Sequence, residues 1–232
     1  MTLIARLNRI RDDSLLSLDA SHNYYSHTKS AWRLVQQIVR SGHQVSIRNI
    51  ATGHAVDGSE LPGLAQEYVT GYLMSATFQD FVSHFERFTF GFLRAWLTEY
   101  PGSMSENDLK FRTVLNATDK DEIIAKVVEK EVLSLAYKRV ADWFAYLENK
   151  AHLGCPTREQ IEAIAEIKAS RDVLVHNNGF ANAIYIDKSM GRARFSDGDK
   201  LTLTEQYHRA SWELMKQVVV DVTTAGIDKL GS

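Results

Sequence analysis

The sequence predicts a mainly α protein: a helical bundle with a short β-hairpin or loop insertion in its second half and an extra N-terminal helical region. Aromatic residues recur every three to four positions from Phe78 through Phe81, Phe85, Phe88 and Phe92 to Trp96, the period of one helix face turned to a core. Three capping-box signatures mark helix starts: Ser105-Glu106-Asn107-Asp108, Thr118-Asp119-Lys120-Asp121 and Thr157-Arg158-Glu159-Gln160. Only three prolines interrupt the 232 residues.

Taken in order, Trp32, Val35, Ile38 and Val39 have helix-like spacing and predict a core-facing helix that stops at Ser41-Gly42. Residues 44–50 alternate and Asp57-Gly58 signals a turn, so a short hairpin or irregular excursion follows. Pro62 suits the first turn of one long or broken helix, which passes Tyr68, Tyr72 and the aromatic run before stopping at Tyr100-Pro101-Gly102. Two or three helices then reach His152, turning inward Ile123, Ile124, Val127, Val128, Leu133 and Leu135, and later Val140, Trp143, Phe144 and Leu147. Gly154-Cys155-Pro156 breaks the run, and a helix opened by Thr157 leads into an arginine–histidine segment. Beyond it, residues 183–186 and 192–195 read as short strands beside an Asp197-Gly198 turn. A last helix runs from about Thr204 through Trp212 and Val218 to near Thr224. The expected division is an N-terminal helical region over 1–73 packed on the core, a bundle over 74–225 and a tail over 226–232.

With 44% hydrophobic and 24% charged side chains, the chain can bury a substantial core. Its 27 basic and 29 acidic residues create no strong overall field for nucleic acid, so any RNA contact has to come from a local patch. The single cysteine, Cys155, cannot form an internal disulfide and His152 does not complete a zinc ligand set beside it, which points to a reduced thiol in the cytoplasm. The opening Met1-Thr2-Leu3-Ile4-Ala5-Arg6-Leu7 lacks a long apolar core, and no later run reaches the roughly 18 apolar residues of a membrane span. Neither secretion nor membrane insertion is expected. Phosphate loops, dinucleotide glycine turns, paired helical histidines and nucleophile elbows are missing. The histidines at 22, 27, 43, 54, 84, 152 and 208 are scattered without ligand spacing, so each reads as structural or surface, and no cofactor or metal is expected.

The stretch Arg171-Asp172-Val173-Leu174-Val175-His176-Asn177-Asn178-Gly179 combines a fixed cation, a titratable base and a polar amide cluster. Arginine holds phosphate oxygens with forked donors and histidine exchanges a proton near neutral pH, a pairing suited to phosphodiester cleavage without a metal. Ile164, Ile167, Arg171 and Leu174 share one helical line, so the guanidinium emerges from an apolar stripe and is either paired or functional. The neighbouring line carries Ala165, Ala169, Asp172 and His176, whose small members admit another helix, such as one from a second subunit. Residues five apart lie about 140° apart around a helix, so one chain makes a poor acid–base pair. A twofold dimer would bring two arginines and two histidines into one cleft. The spacing by itself is weak, because about half of one chance match is expected in a chain of this composition. The alternative reading pairs a buried Arg171 with an acid such as Glu86 and lets His176 cap a helix end. Past the motif, Lys188, Arg192, Arg194 and Lys200, with Asn177, are the local candidates for gripping an RNA backbone, against an ordinary solvated loop.

These residues, continued by Tyr185, resemble the arginine, four to six residues, histidine signature of the HEPN superfamily, in particular the RiboL-PSP-HEPN-like branch whose motif is followed by an asparagine and a glycine. Phe81-Val82-Ser83-His84-Phe85-Glu86-Arg87-Phe88 resembles the helix in which that branch places an acidic residue among aromatics. The similarity covers about residues 74–224. It implies a helical bundle that pairs as a homodimer and a metal-independent endoribonuclease of the toxin–antitoxin, antiphage or RNA-processing kind, or else a non-catalytic module that dimerises or docks an antitoxin or other regulatory protein. By position, the resemblance makes Arg171 the ligand of the scissile phosphate, His176 the proton-transfer group and Glu86 the acid that positions the arginine. Asp172 stands where many members carry asparagine.

Overall fold

The computed structural model describes residues 1–104, 114 and 117–231. The capping-box signature at Ser105 lies outside the described residues. Helix α1 spans Leu3–Arg40, and Thr2 caps it by accepting from the Ala5 amide at 3.3 Å. Strands β1 (Ile47–Arg48) and β2 (Ala55–Val56) form the expected hairpin in antiparallel register, Ile47 opposite Val56. Helix α2 (Leu61–Glu67) carries Pro62 in its first turn, passes through a π-helical turn at Tyr68–Leu73 and continues as α3 (Met74–Glu99). The long helix is therefore unbroken but locally underwound through one wide turn. After a 3₁₀ turn at Pro101–Ser103 come α4 (Lys120–Ala136), α5 (Val140–Ala151), α6 (Arg158–His176), α7 (Ala183–Lys188) and α8 (Glu205–Gly231).

Helix α3 is the axis of the molecule. Its stripe of Phe78, Phe81, Phe85, Phe88 and Phe92 is buried, each ring 1% exposed or less, as the period predicts. The most extensive helix pairing is α1 with α3, and α8 packs on both, so the N-terminal helix shares one core with the bundle. Ion pairs reinforce that layer: Arg6 with Glu99, Lys29 with Glu205, and Lys216 with Asp19 at 2.6 Å. The stripe expected in α1 is displaced. Its buried apolar residues are Leu3, Leu7, Leu18 and Tyr25, whereas Trp32, Val35, Ile38 and Val39 remain part-exposed, where the short α2 and the π turn are among the elements packed on the helix. Similarly, Val128, Val132 and Leu135 form the buried line of α4 and Leu133 points outward.

Three other expectations give way. Residues 183–186 form helix α7, not a strand: Asn182 caps it by accepting from the Tyr185 amide at 2.9 Å, and Tyr185 is buried while Ile184 and Ile186 face outward. Residues 192–195 have no strand partner, and the only ladder contact of this insertion among the described residues is a single bridge between Phe180 and Lys200. The last helix also continues past Thr224, through the stretch read as a tail. There Gly226 brings α8 so close to α3 that a Cβ would sit 2.7 Å from the Phe92 ring. Among the described residues, no helix is long and apolar enough to cross a membrane.

Candidate active site

The arginine–histidine segment is the last turn and a half of α6, and its placement follows from the two helix ends. At the start, Thr157 Oγ1 accepts from the Gln160 amide at 3.3 Å while Gln160 Oε1 accepts from the Thr157 amide at 2.8 Å, the reciprocal box anticipated there. At the other end His176 is the final helical residue and Asn177 the C-cap. Asn178 and Gly179 then take left-handed φ of 52° and 80°, which lets the Gly179 amide return to Val173 O at 3.1 Å. Asparagine and glycine tolerate that region best, and the chain reverses directly beyond His176.

One turn back, Arg171 Nη2 donates to Glu86 Oε2 of α3 at 2.7 Å, and Nη1 lies 3.2 Å from Asp172 Oδ1. Lys168, four residues before Asp172, bridges the same two carboxylates, 3.3 Å from Glu86 Oε1 and 3.2 Å from Asp172 Oδ2. Lys188 of α7 approaches Asp172 Oδ2 at 3.8 Å. Three cations thus surround two carboxylates. The Arg171 side chain is only 16% exposed and its Nε is buried without a partner. Among the described residues, the two contacts engage one N–H on each terminal nitrogen and leave the other open to an incoming anion.

This cluster floors a groove of about 390 Å³ between α6 and the turn from α4 to α5. His176, exposed at its helix end, lines it together with Asp172 and Lys188. Those three also line a second depression of about 290 Å³, bordered by Asn177, Asn182 and Tyr185. Ala165 and Ala169 form buried parts of the groove wall. Asn177 spends its side-chain amide on Phe180 O, which closes the reversing turn.

Arg192 and Arg194 are not brought to the groove. Arg192 Nε pairs with Glu162 Oε2 at 3.1 Å, and Arg194 Nε with Glu166 Oε1 at 2.9 Å, both on another face of α6. Glu166 is buried and also accepts from Ser170 Oγ, Tyr185 OH and Tyr207 OH at 2.7, 2.9 and 2.6 Å. The Arg194 guanidinium lies 3.4 Å from the Tyr207 ring centroid. Burial and the Glu166 carboxylate push the Tyr207 phenol well above its ordinary value, so it stays a donor in this network. The role of Arg192 and Arg194 here is to clamp the insertion to α6.

Lys168 and the 137–139 turn belong to the groove and were not singled out from the sequence. Lys168, Asp172 and His176 are spaced i, i+4, i+8, a helical line that would have found the lysine. Tyr137, Lys138 and Arg139 carried no such local signal, since only the fold opposes them to α6. Among the described residues no three of His, Cys, Asp and Glu converge as a metal-ligand set. Comparisons with protein-family models, with curated proteins and with solved structures return no match for this chain.

Proposed function

We propose that the chain is a metal-independent endoribonuclease of the HEPN type that cuts RNA at a site shared by two subunits, working as a cytoplasmic toxin or antiphage effector. One observation carries the reading: Arg171, fixed by Glu86 at 2.7 Å, floors a groove that His176 lines from the rim. In the reaction the ribose 2′-oxygen attacks phosphorus, the bond from phosphorus to the 5′-oxygen breaks, and a 2′,3′-cyclic phosphate and a 5′-hydroxyl remain. His176 of one subunit takes the 2′-hydroxyl proton, and the histidine of its mate or a water protonates the departing 5′-oxygen. The free N–H groups of Arg171 hold the negative charge that builds on the phosphorane, and Glu86 with Asp172 keeps the guanidinium plane in place beforehand. Lys188 is the residue outside the motif best placed to take a neighbouring phosphate.

The test is incubation of purified protein with mixed RNA in EDTA, beside His176→Ala and Arg171→Ala. The expected loss in either variant is about 10²- to 10⁴-fold. Equal nicking by all three proteins, or none by any across RNA classes, removes the enzyme. A second reading, a non-catalytic dimerisation or partner-docking module, is favoured by a specific feature: both terminal nitrogens of Arg171 already face carboxylates. That module binds a partner protein through the same face and leaves every RNA intact.

A further inference from the structure

We propose that Tyr137 stacks on an unpaired base beside the phosphate held by Arg171, so that the groove accepts single-stranded and not duplex RNA; the position of that phosphate rests on the ribonuclease reading. Tyr137 ends α4 as its C-cap, and the residue is 86% exposed. Among the described residues no other ring packs on it, in contrast to the interlocked rings of Phe85, Phe88 and Phe92 in α3. It therefore contributes nothing to the core, yet it lines the same groove as Arg171 and His176. An aromatic face left bare next to a polar cleft is a platform for a flat apolar ligand.

The charge of the groove says which one. Its lining includes Lys138, Arg139, Lys168, Arg171 and Lys188. Against these stand Glu86 and Asp172 within the lining, and Asp187, which Arg139 grips at 2.6 Å. Even with Asp187 counted, cations outnumber carboxylates here, in a chain whose formal net charge is -2. A ligand that is both anionic and flat-faced is a nucleic-acid strand, held by cations along its backbone and by ring stacking on its bases. In a duplex both faces of each base are covered by the stack, so a protein ring reaches them only after the base is extruded. An unpaired base offers its face at once. The size agrees, since about 390 Å³ falls at the lower end of small-ligand pockets.

The experiment is RNA binding in the full-length His176→Ala background, which prevents cleavage, with a 2-aminopurine-labelled single strand and its duplex as probes. Tyr137→Ala, exposed enough not to disturb folding, is expected to weaken single-strand binding by about tenfold, whereas Tyr137→Phe keeps it within about twofold. Duplex binding is weak throughout and indifferent to both changes. Lys138→Gln and Lys188→Gln weaken binding and flatten its salt dependence, because each releases fewer counterions. Equal single-strand affinity with and without the Tyr137 ring, or preference for the duplex, overturns the proposal. Cleavage by the His176-containing protein separates the two ideas. Cutting that persists unchanged in Tyr137→Ala sinks the stacking role and leaves the ribonuclease standing, while ring-dependent binding without any cutting does the reverse.

Discussion

Glu86 on α3 and Arg171 on α6, 85 residues apart in the chain, meet through a 2.7 Å hydrogen bond that ties the aromatic core helix to the arginine–histidine helix. The bond is part-buried, and Lys168 shares the same carboxylate at 3.3 Å. Replacing Glu86 with Gln leaves Arg171 facing Asp172 alone. The expected cost is on the order of 1–3 kcal/mol in urea unfolding, from a charge-assisted bond lost at a partly desolvated site. RNA cleavage should fall as well, through a guanidinium no longer held in place. A double-mutant cycle with Arg171→Gln separates the effects, because the two changes are coupled only if they act through each other.

Glu166 carries a larger prediction. It is buried and holds Arg194, Tyr185, Tyr207 and Ser170 at once. Glu166→Ala strands a cation and two phenols, so a loss of about 3–5 kcal/mol is expected. Arg194→Gln should also destabilise, and Arg192→Gln very little, since the Arg192 pair is much more exposed. Thermal unfolding of the three variants checks the order.

His208 predicts acid sensitivity. It sits in the core between Tyr25 and Phe81, and Nε2 donates to Thr77 Oγ1 at 2.8 Å, because the Thr77 hydroxyl proton goes to Leu73 O at 2.9 Å. Its Nδ1 is buried and unpartnered. Burial, with His22 and its positive form nearby and Glu205 opposing, lowers its pKa to about 4 from 6.5. The folded pKa lies below the unfolded one, so above pH 6.5 the ring is neutral in both states. As pH falls from 6.5 to 4 the unfolded chain takes the proton first and stability drops, by on the order of 3 kcal/mol in total. Unfolding free energies at pH 7 and pH 5 should differ less in His208→Leu than in the parent.

Cys155 should be slow to react. Burial, followed by the charges of Asp221 and Glu148, pushes its thiol up to about 11. At pH 8 the native protein should alkylate with iodoacetamide roughly 100-fold more slowly than an unperturbed cysteine, and at the ordinary rate once unfolded in guanidinium.

Much of this arrangement is legible in the sequence, where local chemistry and the global fold agree. The aromatic period of α3 and the Thr157–Gln160 box are each set by neighbours within a few residues, and each forms as expected. The Glu86–Arg171 contact is long-range, but an acid inside an aromatic stripe and a cation inside an apolar one both need a partner, which made the pair readable. What escaped depended on tertiary context. Ile184-Tyr185-Ile186 alternates like a strand, yet the Asn182 cap and the Tyr185 hydroxyl, drawn to Glu166, make it a helix. Arg192 and Arg194 read as a free basic loop until Glu162 and Glu166 of α6 lie opposite them. Tyr137 joins the groove only because the α4–α5 turn faces α6.

The chemistry of the cut ends tests the central claim most directly. RNA digested in EDTA by the parent protein should carry a 2′,3′-cyclic phosphate on one fragment and a 5′-hydroxyl on the other, as mass spectrometry reads them, with neither formed by His176→Ala. Fragments ending in 3′-hydroxyl and 5′-phosphate, or cyclic ends made equally well without His176, would contradict the account.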